Sequence, residues 1–269
     1  MKKLATALVS AAAIMTMSTT AFAAENPAEV FDRVMEKNNT IQSAEIQSGV
    51  HSVILAKDVI PDGQMKVDMA MHAEMDMQDT TDLKYLAQVA SSILGQDSYS
   101  QVFYTDGYYY VDANGVKLKY PMPLEQIISS VQTGVNTSNM ESSYMKGTSL
   151  NEVNGKRVLA YEANPKKLNK NVKEALGTVM NTLGTDVNLD MNIQEMKGAY
   201  VLDDNDYIIY MTNYIVYNME VLDQPMTCIT LMETEVQNPG EPVVVTLPST
   251  DGYEDLIGLY DGVIESEVE

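Results

Sequence analysis

Between Met65 and Met77 the chain alternates with a period of two. Met65, Val67, Met69, Met71, Ala73, Met75 and Met77 take the odd positions. Lys66, Asp68, His72, Glu74, Asp76 and Gln78 lie between them, with Ala70 the one apolar residue in the polar set. Successive side chains of an extended chain point to opposite faces, so this spacing predicts a long strand with one apolar and one wet face. A strand of that kind belongs to an antiparallel sheet that packs on one side only. Its apolar face is mostly methionine rather than Val, Ile or Leu. Methionine is unbranched and polarizable, and it suits surfaces that adapt to varied apolar partners. The strand therefore points to a pliable apolar cavity.

The rest of the chain supplies more strands than helices. Asn26-Pro27 followed by Glu29 reads as a helix start, with Val30, Phe31, Val34 and Met35 as its apolar face and Asn38-Asn39 as its end. A strand is expected over about 44–56. Leu83, Leu86, Ala87, Ala90, Ile93 and Leu94 recur at helical spacing and Gly95 closes the run, which predicts a second helix. Asp106-Gly107, Asn114-Gly115 and Asn154-Gly155 sit between strand-like runs and predict tight hairpins. A short helix is expected over 124–131 and a longer one from Asn164-Pro165 to about Leu183. The longer one carries Lys166, Lys167, Lys170 and Lys173, a basic patch that reads as a solvated helix face or a docking patch. The last third reads as strand: Val187, Leu189, Met191 and Ile193 alternate with polar residues, 207–222 is long and apolar on both faces, 226–236 follows a turn, and a final extended piece runs over 242–247. This order predicts one α+β domain, a strongly curved antiparallel sheet with helices packed on one face.

The two ends read differently. Lys2 and Lys3, the apolar run 4–17 and Ala21-Phe22-Ala23 have the pattern of a secretory signal peptide occupying 1–23. No cysteine follows that cleavage site and no later run of about 18 apolar residues occurs, so the expectation is a protein outside the cytoplasm with no permanent membrane anchor. Residues 24–250 are expected to form the single domain. Residues 251–269 form an acidic tail with Leu256, Ile257, Tyr260 and Ile264 as an apolar stripe. The formal charge is −21, and losing the leader makes it two units more negative. Such a chain repels nucleic acid and anionic headgroups, so nucleic acid is not an expected partner. The one cysteine, Cys228, excludes an internal disulfide, and its alternation with Met226 and Met232 reads as a small buried apolar residue.

Catalytic chemistry finds little support. The sequence has no Gly-rich phosphate loop, zinc-binding motif or GxSxG elbow, and a Cys228 nucleophile would need His51 or His72 as its base. The chain is not expected to be an enzyme or to hold a cofactor. Met69, Met71, His72, Met75 and Met77 are soft ligands of the kind that suit Cu(I), but His72 points away from the methionine face, so no metal site is assigned. The acidic turn Asp203–Asp206 lacks the glycine and distal glutamate of a calcium loop and reads as a solvated turn.

Three stretches carry a resemblance. They are Phe103-Tyr104-Thr105-Asp106-Gly107-Tyr108-Tyr109-Tyr110-Val111-Asp112 with Gly115 to Pro121; Gly198-Ala199-Tyr200-Val201-Leu202-Asp203 with the long strand after it; and the ending from Val236 to Pro248. In this order they resemble the LolA/LolB/LppX-like half-barrel proteins of the bacterial cell envelope, and most of all their Gram-positive lipoprotein relatives of unassigned function. The resemblance implies a half-barrel sheet with helices on its concave face and an apolar cavity between them. It also implies a lipid or acyl chain as ligand and a cell-envelope protein as partner, and it supplies no catalytic residues. Many relatives carry an anchoring cysteine that this chain lacks.

The expected cavity lining is Met65, Met69, Met71, Met75, Leu189, Met191, Met211, Ile215 and Met219. The expected function is an exported carrier or sensor of a hydrophobic small molecule or lipid, acting by binding alone. The alternative is a secreted interaction or structural module whose core is filled by these same residues.

Overall fold

A computed structural model describes residues 25–56, 60, 62–79, 83–123, 140–170, 191–221 and 224–256. The elements in chain order are α1 (Pro27–Asn38), β1 (Ser43–Leu55), β2 (Gln64–Asp76), β3 (Lys84–Ile93), β4 (Gln96–Thr105), β5 (Tyr108–Ala113) and β6 (Val116–Pro121). After a 3-10 turn at Ser142–Tyr144 come β7 (Met145–Val153), β8 (Lys156–Ala163), β9 (Met191–Leu202), β10 (Ile208–Val221), β11 (Gln224–Gln237) and β12 (Glu254–Asp255). Residues 165–170 are helical as well. The twelve strands are hydrogen-bonded in the order β12-β6-β5-β4-β3-β2-β1-β11-β10-β9-β8-β7.

This corrects the expected fold class. An α+β half-barrel with helices packed on its concave face is replaced by a sheet-dominated fold, with two helical segments among the described residues. The expected helix at 83–94 is strand β3. Its i, i+3, i+4 spacing arises because both faces of the strand are apolar, and Leu86 and Ala87 are neighbours that are both buried. The expected leader, the helix at 124–131, the later part of the 164–183 helix and the end of the tail lie outside the described residues.

The chain divides into two compact units. One contains α1, the inner halves of β1 and β2, and β7 to β11. Its helix begins as the sequence suggested. Asn26 Oδ1 accepts from the Ala28 N–H at 3.1 Å, and Asn26 Nδ2 donates to Glu29 at 3.1 Å. Val30, Phe31, Val34 and Met35 are buried against Leu150, Leu159, Tyr161, Tyr200, Leu202 and Ile208. Phe31 meets Tyr161 edge-on at 5.8 Å, and Tyr161 stacks on Tyr200 at 5.3 Å.

The β9–β10 turn fastens the helix. Asp206 accepts from Arg33 Nε at 2.8 Å and from Arg157, and both arginines also reach Glu25. Asn38 Nδ2 donates to the Asp206 carbonyl at 3.0 Å, and Asn38 Oδ1 accepts from the Ile208 N–H at 2.9 Å. Within the turn, Asp203 Oδ1 accepts from the N–H groups of Asn205 and Tyr207, both at 2.8 Å. The Asp203 and Asp206 carboxylates are thus engaged by the fold.

The other unit contains the outer halves of β1 and β2, β3 to β6, and the C-terminal segment. Phe103 and Tyr110 stack at 4.6 Å, and Tyr253 meets both edge-on. Val243, Val245 and Leu247 pack on the same cluster, so the final extended piece forms core without being strand. The opposite face carries a row of tyrosines in register, Tyr85, Tyr104, Tyr109 and Tyr120.

Four two-residue turns share one backbone form. Asp106-Gly107, Asn114-Gly115 and Asn154-Gly155 have φ of 52° and 78°, 52° and 87°, and 52° and 74°. These are the residues a type I′ hairpin favours. The fourth, Leu94-Gly95, has φ of 53° and 77° with a leucine where the others place Asx.

Two predictions follow from the helix-bearing unit. Gly198 faces Tyr161 and Asn213 across the sheet, and a Cβ there would sit 2.8 Å from the Tyr161 hydroxyl and 2.5 Å from the Thr212 carbonyl. Gly198→Ala is expected to destabilise by about 2 kcal/mol or more, read by urea unfolding. For Asp206, burial alone would raise the carboxyl pKa, but hydrogen bonds and charge from Arg33 and Arg157 outweigh it and hold the pKa below its ordinary 3.8. A depressed carboxyl pKa contributes stability that is complete above the unfolded value and is lost as pH falls through the folded value. Asp206→Asn should therefore lower the melting temperature at pH 7, and the difference from wild type should shrink below about pH 4.

Candidate functional site

Register decides which side chains share a face, and in the helix-bearing unit it assembles one apolar face from β9, β10 and β11. Three rows cross these strands side by side: Met191–Met219–Met226, Ile193–Tyr217–Cys228 and Met196–Ile215–Thr230. Beyond them lie Gly198–Asn213–Met232 and Tyr200–Met211–Thr234, which approach the helix. A bulge in β9 makes these rows possible. Ile193 pairs with Tyr217 while Glu195 pairs with Val216, so one residue of β9 is skipped. The extra residue moves the inward set from the odd positions Met191 and Ile193 to the even positions Met196, Gly198, Tyr200 and Leu202.

Side-chain contacts extend the face to β1 and β2. Ser52 and Thr230 hydroxyls are 2.9 Å apart, so Ser52 shares the β11 face. His51, the next residue, reaches Asp68 at 2.7 Å on the opposite side. Met65 and Val67 alternate with Asp68 and therefore lie on the Ser52 side. In this part of β2 the alternation separates Met65 and Val67, half-buried, from Lys66 and Asp68, exposed.

Burial along this face is graded. At the α1 end Leu159, Tyr200 and Leu202 are almost wholly buried. Met196, Met211, Ile215 and Tyr217 are half-buried and pack on that cluster. Met232 is half-buried in the Asn213 row, and the row farthest from the helix, Met191–Met219–Met226, is half-buried throughout. A twelve-residue helix is about 18 Å long, whereas β10 and β11, at fourteen residues each, run to about 45 Å. Helix α1 spans only one end of such a face, and the helical segment 165–170 adds Leu168 and Asn169 at Ile193.

The chemistry of the face is soft and neutral. Cys228 donates to Met219 Sδ at 3.7 Å, and its burial pushes the thiol pKa up. Asn213, the most polar residue in these rows, is 5% exposed; its Oδ1 accepts from the Tyr161 hydroxyl and its Nδ2 lies 3.8 Å from Met211 Sδ. Burial pushes the Tyr200 phenol up to about 12 and Tyr161 upward as well, so both stay neutral. No formal charge lies in these rows between Met191 and Met232. Such a surface can desolvate an apolar chain, and it carries no group poised to ionise at neutral pH.

The expected lining residues fall into three groups. Met65, Met191, Met211, Ile215 and Met219 lie half-buried in the helix-bearing unit, with Met191 and Met219 directly opposite each other. Met69, Met71 and Met75 belong to the other unit. There Met69 and Met71 are 40% and 37% exposed, while Met75 is 2% exposed and is core. Leu189 lies outside the described residues. Sequence reasoning missed Tyr217, Met226, Met196 and Met232 as lining. The Met226, Cys228, Met232 alternation was the available signal, whereas the β9 bulge leaves no mark in residue spacing.

Among the described residues no group of three His, Cys, Asp or Glu side chains is placed to hold a metal ion. His72 Nε2 lies 3.3 Å from Glu45 and 3.8 Å from Glu74, at ion-pair distance without hydrogen-bond geometry. No helix among the described residues is long and apolar enough to cross a membrane.

Cys228 gives a direct probe of the face. It is 1% exposed, so Ellman's reagent should leave it unmodified in the native protein and titrate one thiol in urea. Rapid native labelling would mean that the Tyr217–Cys228 row opens.

Comparison with known proteins finds distant structural matches and one family. LprF from Mycobacterium bovis is 10% identical, with 83% of this chain and 97% of that one covered and a TM-score of 0.35. A beta-barrel-like protein of domain of unknown function DUF1849 from Brucella abortus is 11% identical, with 74% and 100% covered and a TM-score of 0.24. A putative AttH from Nitrosomonas europaea is 7% identical, with 78% and 53% covered and a TM-score of 0.24. No curated protein matches the chain. A family of unknown function, DUF6612, matches residues 26–248, and the chain belongs to it.

Proposed function

We propose that this protein is an exported binding protein for a hydrophobic ligand, a lipid or acyl chain, held by the β9–β11 face without covalent chemistry. One observation carries the reading: four methionines of one sheet face, Met191, Met219, Met226 and Met232, stay half-buried without joining the α1-packed core. Filling such a surface with a flexible acyl chain removes apolar area from water at about 25 cal/mol per Å². Methionine side chains adapt to chains of different length and branching. The absence of charge along the rows selects an uncharged body for the ligand and leaves its head, if polar, at the rim. The signal-like first 23 residues support export, and the acidic composition supports a site that attracts neither nucleic acid nor polyanion.

The test is direct. The purified protein is examined by native mass spectrometry beside a solvent extract, and then titrated with a dansyl-labelled acyl chain. A discrete added mass or saturable probe uptake is expected. Met219→Lys should weaken probe binding at least about tenfold, because it sets a charge in the middle of the apolar row. Asn218→Lys, the neighbouring residue on the opposite face, should leave it unchanged. A protein that is empty, takes up no probe and stays empty after exposure to membrane extract is the filled-core interaction module instead.

A further inference from the structure

The β3–β4 hairpin runs past the end of β5. Ser100 pairs with Ala113 at the end of β5, and the Asn114-Gly115 turn closes beside Tyr99. The β3–β4 ladder continues beyond that point through Ala90–Tyr99, Ser91–Ser98, Ser92–Asp97 and Ile93–Gln96 before it turns. Residues 93–99 are all exposed. The shaft is small and polar, with the Ser91 and Ser98 hydroxyls 2.6 Å apart. The tip is apolar: Ile93 is 43% exposed and Leu94 is 70% exposed.

Leu94 is also the residue that breaks the turn rule. It holds φ of 53° where three other hairpins of this chain place Asp or Asn. A leucine in the left-handed region is strained, whereas Asn tolerates it. The backbone geometry at the tip asks for Asx-Gly, and the side chain displayed there is a large apolar one pointing into solvent.

The rest of the hairpin says what would receive it. Three rungs behind Ile93 stands Tyr99, 43% exposed, about 10 Å back along the strand. Apolar elements that dip into a bilayer reach about 5–10 Å, and tyrosine favours the headgroup level. Val116, 61% exposed, follows the turn beside Tyr99. A two-residue turn closes its own backbone, so the tip can leave water with few unpaired polar groups. Between Tyr85 and Thr105 the only formal charge is Asp97. One carboxylate with no cation gives no attraction to anionic headgroups and suits the choline or ethanolamine cation of a zwitterionic lipid.

We propose that the Ile93-Leu94 tip is a membrane-dipping finger that inserts into the surface of a zwitterionic bilayer, with Tyr99 at the headgroup level. The finger stands on its own geometry and does not require the β9–β11 face to hold a ligand.

The experiment is flotation of the purified protein with phosphatidylcholine vesicles. Wild type is expected to float with the vesicles. Leu94→Asn restores the Asx-Gly turn, so it should raise the melting temperature while lowering vesicle binding at least about tenfold. Tyr99→Trp introduces the only tryptophan of the chain, and its emission should shift to the blue when vesicles are added. Wild type that does not float, Leu94→Asn that floats equally, or an unshifted tryptophan each overturns the proposal. Stronger flotation with phosphatidylglycerol overturns the zwitterionic assignment. Concentration-dependent dimerisation that Leu94→Asn abolishes, without flotation, assigns the tip to a second copy of the chain. Uptake of the dansyl-labelled acyl chain by Leu94→Asn should equal wild type, which separates failure of the finger from failure of the binding face.

Discussion

The docking of α1 on β8, β9 and β10 is the contact from which the helix-bearing unit is organised. Phe31 packs against the stacked pair of Tyr161 and Tyr200, and the sheet must leave room for those rings. Gly198 provides the room, because any side chain there would collide with Asn213 and Tyr161. The β9–β10 turn then pins the helix through Asp206 and Asn38. These contacts lie at one end of long strands. What the helix closes is core, Leu168 extends that core to Ile193, and the Met191–Met219–Met226 row beyond stays half-buried. The candidate site follows from a mismatch of lengths between a three-turn helix and strands of fourteen residues.

That mismatch also accounts for the residues chosen. A filled interior is packed to crystal-like density and favours side chains with well-defined rotamers. The α1 end obeys this with Phe31, Val34, Leu159 and Leu202. Met35 and Met140 are buried there as well, and the farthest row is methionine throughout, Met191, Met219 and Met226. Thioethers lose little by repacking, so a surface made from them can serve with or without an apolar guest. Asn213 marks the border, with its amide held by Tyr161 on one side and by the Met211 sulfur on the other.

Much of the strand text was legible before the fold was known. The Met65–Met77 alternation, the Asn26-Pro27 helix start and the three Asx-Gly hairpins each rest on local chemistry, and each appears where the sequence placed it. Two features were not legible. Residues 83–94 carry apolar residues on both faces, so helical spacing and strand alternation could not be separated there. Leu94-Gly95 then hid the hairpin, because the turn lacks its usual Asx residue. The β9 bulge was the second: it exchanges odd for even positions midway, and only the partner register reveals it. The nine expected lining residues consequently mix two units, with Met75 in a buried core and Met219 beside Cys228.

The energetics of the β3–β4 tip are those of a deliberate exception. Holding a leucine in the left-handed region costs about 1–2 kcal/mol relative to a residue suited to it. In water the exposed side chain returns nothing for that strain, and asparagine at the same position would relieve it. Fully burying a leucine in an apolar phase is worth about 1.5–3 kcal/mol, enough to offset the strain once the tip has somewhere to go. The neighbouring Ile93 adds to the gain without any strain of its own. The balance therefore reverses between the free and the inserted hairpin, which is the behaviour expected of a residue kept for what it meets rather than for what it stabilises.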